Sequence, residues 1–289
     1  MSFFIHLFIL ITIFIILSSS LNLALGYTGL INLGHIAFFG IGAYSSAILT
    51  KFYHLPFLLS LLTAGVSAAL IGCIITKITN RLKGDFFALS TLGLTFVFYS
   101  VFLNWKSLTR GPLGIPGIPK PEFFGFTLVS PEYYFVFMLL VCSLVVYLLH
   151  RLVNSPYGKL LEALRDDALG LAALGKNIMR LKSQAMMISA FCAGLSGSLY
   201  AHYITFIDPS TFFLGNIIII LTIVIVGGLA SLPGTIVATM IVVLLPEMLR
   251  FLDIPSSVLG PLRQIIYAVI ILLVLLYRPR GLFGKVDLP

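Results

Sequence analysis

Stretches of roughly 20 apolar residues, the length a helix needs to cross the hydrocarbon core of a bilayer, follow one another through this chain. They fall near residues 3–21, 33–50, 56–76, 85–104, 131–150, 183–205, 215–232, 235–252 and 262–278. In lipid every backbone polar group must be satisfied internally, which restricts spanning structures to helices and closed barrels. Runs of this length select helices. The expected fold is therefore all-α, a polytopic integral membrane protein of about 8–10 transmembrane helices, with residues 1–289 forming a single transmembrane domain. Composition agrees, since 59% of the residues are hydrophobic and 10% are charged. A soluble domain of this size could not cover its surface with so few charges.

The first run is expected to stay in the mature chain, because MSFFIH carries no Lys or Arg ahead of it and further spans follow. Cys73, Cys142 and Cys192 each fall inside a span without a spaced partner, so they read as packing residues rather than disulfide or zinc ligands. Of the 18 basic residues, three lie at Lys77, Arg81 and Lys83, six between Arg151 and Lys182, and three at Arg278, Arg280 and Lys285. Lys and Arg are retained on the cytoplasmic side, so these three segments mark it. The net charge of +8 is thus a topology signal. It points to the lipid bilayer as partner and not to nucleic acid. Whether the N-terminus lies inside or outside turns on how residues 22–34 cross, and the sequence leaves both open.

Residues 22–44, NLALGYTGLINLGHIAFFGIGAY, interrupt the apolar pattern with Gly26, Gly29, Gly34, Gly40 and Gly42 and with polar groups. A helix in hydrocarbon can break only where its freed backbone groups are buried in protein or face a water-filled cavity. A broken helix near 22–44 beside a pathway is one expectation; close helix packing through small residues is the other. His35 is open in the same way, as a functional ionisable group or as a neutral side chain bonded to a neighbouring carbonyl. Two further lines of small residues, Ser60-Ala64-Ala68-Gly72-Thr76 and Ala190-Gly194-Ser198, read as helix contacts.

Between the spans, residues 105–130 form a non-cytoplasmic loop in which Pro112, Pro116, Pro119 and Pro121 alternate with Gly111, Gly114 and Gly117. Proline fixes φ and glycine frees it, so a shaped loop without strand or helix is expected. Glu247 and Arg250, three apart, are expected to pair near the outer boundary. Asp85 reads as an acidic residue starting a helix and Asp208, before Pro209, as a turn.

The cytoplasmic loop 154–182 carries apolar residues at Leu160, Leu161, Leu164, Ala168, Leu171 and Ala172, with Lys159, Glu162, Arg165, Asp166 and Asp167 mostly opposite. This spacing predicts one amphipathic helix over 160–175, stopped at Gly175. GLAALGKN, residues 170–177, matches G-x-x-x-x-G-K, but Asn177 stands where Ser or Thr would hold magnesium and no strand precedes it. ATP binding there is not expected. A helix with Asp166 and Asp167 on its polar face suits a groove on a partner better than a membrane surface.

NLALGYTGLINLGHIAFFGIGAY, GDFFALSTLGLT, LTRGPLGIPGIP, SPYGKLLEALRDDALGLAALG and the ending YRPRGLFG, in this order over nearly the whole chain, resemble the LivM-type permease of branched-chain amino-acid ABC importers. The resemblance implies a permease subunit in a bacterial cytoplasmic (inner) membrane, multi-pass, with a second LivH-type permease subunit, two cytoplasmic ATPase subunits and an extracytoplasmic solute-binding protein as partners. It implies no cofactor in this chain, with ATP and magnesium in the partner ATPases, and no catalysis by this chain itself. Carried over by residue, the coupling helix would use Glu162, Ala163, Arg165, Asp166, Asp167 and Gly175, although EAL replaces the EAA of many importers and the spacing to glycine is longer. The translocation pathway would run beside Asn22, Gly26, Tyr27, Gly29, His35, Phe39, Gly40 and Gly42. Its substrate would be a branched-chain or related amino acid, held weakly because the spans offer no charge cluster to clamp a zwitterion.

The alternative is an ion-gradient-driven secondary transporter or channel for a small solute. Such a protein usually keeps carboxylates near the midplane, and none of the ten acidic residues falls clearly there. An integral-membrane enzyme is disfavoured, because His6, His35, His54, His150 and His202 lack metal-ligand spacing and no nucleophile motif is present; no metal site is expected.

Overall fold

The computed structural model describes residues 2–79, 82, 84–123, 126–128, 130–248, 256–278 and 280–284. Its long helices follow the apolar runs: α1 (Ser2–Asn22), α2 (His35–Tyr53), α3 (Phe57–Ile78) and α4 (Asp85–Asn104), then, beyond the short α5 (Lys106–Thr109), α6 (Pro131–Val153). The loop helices α7 (Pro156–Asp166) and α8 (Ala168–Ala173) precede α9 (Ile178–Ile204), α10 (Leu214–Gly227), α11 (Leu232–Met248) and α12 (Ser256–Tyr277). Four segments are long and apolar enough to cross a membrane on length and composition alone, namely Phe3–Tyr27, Phe57–Ile78, Asp85–Asn104 and Pro131–Val153. α2 and α9 are interior, and Gly and Ser dilute their hydropathy because those positions face other helices rather than lipid. The protein is a polytopic all-α membrane protein.

Side-chain partners give the direction of each helix. His6 near the start of α1 bonds Tyr203 near the end of α9, and Ser20 near the end of α1 accepts from Ser189 earlier in α9, so the two run antiparallel. Gly40 meets Phe102 and Gly34 meets Thr91, making α2 and α4 parallel. Followed through, α1 begins on the same side as the Pro/Gly loop, whereas α7, α8 and the end of α12 lie together on the basic side. The N-terminal end of α1 therefore lies on the side opposite the basic segments, which is the non-cytoplasmic side expected from the distribution of Lys and Arg. Arg81, Lys83, Arg250 and Lys285 lie outside the described residues, and with Arg250 goes its expected pairing with Glu247.

The core is built where small residues let backbones meet. Gly194 of α9 sits against Ala64 and Ala68 of α3, while a Cβ on Gly42 of α2 would lie 2.1 Å from the Gly194 carbonyl oxygen. A Cβ on Gly72 would stand 2.9 Å from that of Ala190. Both lines of small residues are helix contacts, as their spacing indicates. Cys73, Cys142 and Cys192 are free, the latter two buried.

The loop 105–130 departs from expectation by carrying regular pieces: α5, a 3-10 turn at Gly111–Leu113, and β1 (Ile115–Pro116), which pairs antiparallel with β4 (Phe206–Ile207) after α9. β2 (Glu122–Phe123) pairs antiparallel with β3 (Phe126–Thr127). Pairing arises because Ile115 and Ile118 are buried against the bundle, which brings the loop backbone beside the chain after α9. Lys51 donates to the Pro116 carbonyl, and His202 Nδ1 lies 2.7 Å from the Pro119 carbonyl. Asp85 opens α4, and Asp208 caps the 3-10 turn Pro209–Phe212 by accepting from the Ser210 amide at 3.2 Å, both as read.

Candidate functional site

α1 does not simply end. It runs into a π-helical turn at Leu23–Tyr27, and regular helix resumes only at His35. The break is thus shorter than residues 22–44, since Phe39, Gly40 and Gly42 lie within continuous α2. Gly40 faces Phe102 and Phe212, and Gly42 faces the α9 backbone. Their role is close approach. A second interruption lies between α10 and α11, where Gly228 takes φ 98° and Ala230 φ 57°, ending α10 short of the residue 232 suggested by hydropathy.

Asn22 joins these interruptions. Its Nδ2 donates to Thr235 Oγ1 at 2.7 Å, the Ser231 carbonyl at 3.1 Å and the Gly228 carbonyl at 3.3 Å, while Oδ1 accepts from the Ala230 amide at 3.0 Å. Fully buried, the amide side chain satisfies backbone groups that the helix breaks release. Gly26 is needed at this approach, because a Cβ would fall 2.4 Å from the Ala230 nitrogen. The C-terminal motif closes the same junction from below: the Leu282 and Phe283 amides donate to the Val226 and Gly227 carbonyls at the end of α10, at 2.8 and 3.1 Å. These carbonyls are among those a helix terminus leaves open.

His35, fully buried, lies within bonding distance of Ser20 Oγ at 2.9 Å and the Leu17 carbonyl at 3.2 Å through Nε2. Asn32 Nδ2 approaches its Nδ1 at 3.4 Å. The ring therefore ties the last turns of α1 to the first turn of α2 across the break. Tyr27 is buried beside Leu232, with Glu162 and Arg165 within electrostatic reach. Of the residues expected beside the pathway, Phe39 in α2 lines a cavity that it shares with Tyr200.

The cytoplasmic segment is two helices rather than the single one its spacing suggests. Asp167 leaves helical geometry at φ −148°, and its Oδ1 accepts from the Gly170 amide at 2.8 Å, capping α8. Asp is a favoured N-cap, so the residue that looks like polar-face decoration starts a new helix. Ser155 caps α7 likewise, accepting from the Gly158 amide at 3.3 Å. Gly175 takes φ 75° just beyond α8, the left-handed stop expected of it. Leu164, Leu171 and Leu181 pack together to seat both helices, with Tyr157, Ala163 and Ala168 around them. Burial raises the Tyr157 hydroxyl above its ordinary pKa, so it stays protonated.

Arg165 places this segment in contact with the break, and two leucines face it to solvent. Arg165 Nη1 donates to the Gly26 carbonyl at 2.9 Å and its Nε to Asp166 Oδ1 at 2.8 Å. Gly29, with φ 69°, leaves room for it, since a Cβ there would stand 3.1 Å from Arg165 Cγ. On the other side of α8, Leu169 and Leu174 are each 77% exposed. Neither belongs to the apolar stripe seen in the sequence, and their signal is legible only once Asp167 is known to reset the helical phase. Glu162 and Ala163 are half-buried, and Asp166, Asp167 and Gly175 are exposed.

An interrupted helical bundle, with a loop-helix pair bonded to one of its interruptions, is an architecture that membrane transport proteins use. The chain belongs to the family described as branched-chain amino acid transport system / permease component, whose model matches residues 3–275. It is 34% identical to the high-affinity branched-chain amino acid transport system permease protein LivM of Escherichia coli K12 over 294 residues, covering 93% of this chain and 67% of that one. The LivM protein of Salmonella typhimurium is 33% identical with the same coverage. A probable branched-chain amino acid transport permease LivM of Methanocaldococcus jannaschii is 25% identical over 324 residues, covering 94% and 91%. No solved structure matches the chain.

Proposed function

We propose that this chain is a membrane-spanning permease subunit of an ATP-driven ABC importer, forming the translocation pathway for branched-chain or related amino acids. The observation that carries the coupling half of this reading is the Arg165–Gly26 bond, which links a cytoplasmic helix directly to the α1 interruption. The names of the relatives support the substrate class.

In this reading α7 and α8 form the coupling element. Leu169 and Leu174 enter a groove on one cytoplasmic ATPase, the second ATPase engaging the partner permease, and Asp166, Asp167 and Lys176 frame them. An exposed apolar tip with a charged rim is the pattern of a helix docked in a groove. A second permease, two ATPases that hold ATP and magnesium, and an extracytoplasmic solute-binding protein complete the machine in the cytoplasmic membrane. ATP binding draws the ATPases together and moves α7 and α8. Arg165 passes that motion to the Gly26 backbone, and Asn22 passes it to the α10–α11 turn, shifting the permease between two access states.

The test is to purify the tagged chain in mild detergent, identify co-purifying subunits and assay ATP hydrolysis. Recovery of a second permease and ATPases with hydrolytic activity is expected. Recovery of the chain alone, across several detergents, contradicts the reading.

A further inference from the structure

A cavity of about 310 Å³ lies in the non-cytoplasmic half, between α1, α2 and α9–α12, within the size range of small-molecule sites. Leu10, Phe14, Ile36, Phe39 and Val243 line one part of it. Glu247, Arg263, Tyr267 and Asn216 line another. Arg263 Nη2 donates to Glu247 Oε1 at 3.1 Å, joining the end of α11 to α12. The sequence shows no such cluster because the two residues are 16 apart and meet only when α12 folds back.

We infer that this cavity is a transient substrate site, in which Arg263 receives the carboxylate and Glu247 the ammonium of a zwitterionic amino acid whose apolar side chain lies against Phe14, Phe39 and Val243. The inference rests on the importer reading above and adds to it a site within this chain. The first support is arrangement: one cation, one anion and an apolar wall, side by side, mirror the three groups of such a substrate. The second is an open donor, since the Arg263 Nε is buried and has no hydrogen-bond partner among the described residues. A guanidinium presents its donors as a planar fork that a carboxylate fills with two parallel bonds.

Charge balance explains why this arrangement suits a passage rather than a trap. Arg263 and Glu247 offset one another, and a zwitterion brings one charge of each sign, so loading leaves the net charge of the cavity unchanged. An amine lacking the carboxylate, or an acid lacking the ammonium, would add one net charge to a poorly solvated space, which is costly. The side chains of the pair are 36% and 21% exposed, so water can reach them and a bound zwitterion can leave.

The test uses the whole importer reconstituted in vesicles with its binding protein and radiolabelled leucine. Removing one charge alone would strand the other, so the informative variant is Glu247→Leu combined with Arg263→Met. With charge-assisted bonds lost, leucine uptake should fall about tenfold or more while assembly and ATP hydrolysis persist. Independently, Val243→Cys should react with a water-soluble maleimide, and leucine should slow that reaction only when the charged pair is present. Uptake within about twofold of the parent, where a lost site predicts a decade, overturns the site and leaves the importer reading standing. An unmodified complex showing no ATP-driven uptake of leucine or any other amino acid overturns that reading and the site with it.

Discussion

The guanidinium of Arg165, on a helix outside the bilayer, donates to the carbonyl of Gly26, in the interruption of the first membrane helix, at 2.9 Å. Gly26 in turn packs directly against Ala230, whose amide donates to Asn22 Oδ1. A displacement of α7 therefore reaches α1 through one hydrogen bond and reaches the α10–α11 turn through a second residue. Helical hydrogen bonding is suspended at both places, so each can change with little loss of regular structure.

Asn22 should be among the least replaceable polar residues. Leucine at this position leaves the Ala230 amide and at least one carbonyl unsatisfied in the protein interior, at about 1–3 kcal/mol for each group. Asn22→Leu is expected to lower the melting temperature of the detergent-purified chain clearly more than Asn22→Gln does. Equal melting temperatures for the parent and both variants would contradict the junction.

Gly42 and Gly93 make opposite predictions from the same residue type. Gly42 touches the Gly194 backbone, so Gly42→Ala forces α2 and α9 apart, with an overpacking cost of about 1–3 kcal/mol. A Cβ on Gly93 of α4 meets nothing within 4 Å, and Gly93→Ala should leave stability unchanged or raise it by up to about 1 kcal/mol. Thermal unfolding of the two variants side by side checks this.

Leu169 and Leu174 should matter only in the complex. Both are exposed, so Leu169→Glu with Leu174→Glu is expected to leave the melting temperature of the isolated chain within about 0.5 kcal/mol of equivalent stability. Co-purification of the ATPases should fall sharply. Undiminished ATPase recovery would remove α8 from the docking role.

Hydropathy made the membrane helices legible, down to Asp85 and Asn104 as the ends of α4, because lipid imposes length and composition together. It could not separate the uses of glycine. Gly26 and Gly29 accompany a break while Gly40 and Gly42 serve packing, yet both uses place small residues at similar spacing. Asp167 was equally ambiguous, since a carboxylate on a helix surface and a carboxylate capping a new helix look alike until the backbone turns. The Glu247–Arg263 contact depends on tertiary folding, whereas sequence spacing exposes only partners on one helix.

Arg165 transmits motion in the importer reading rather than merely fixing α7. The most direct test is the ratio of leucine imported to ATP hydrolysed by the reconstituted complex, for the parent and for Arg165→Gln. Loss of a charge-assisted bond, worth about 1.5–3 kcal/mol, predicts a ratio lower by about tenfold with subunits still assembled and ATP still hydrolysed. An unchanged ratio in an intact complex would leave Arg165 with a structural role alone.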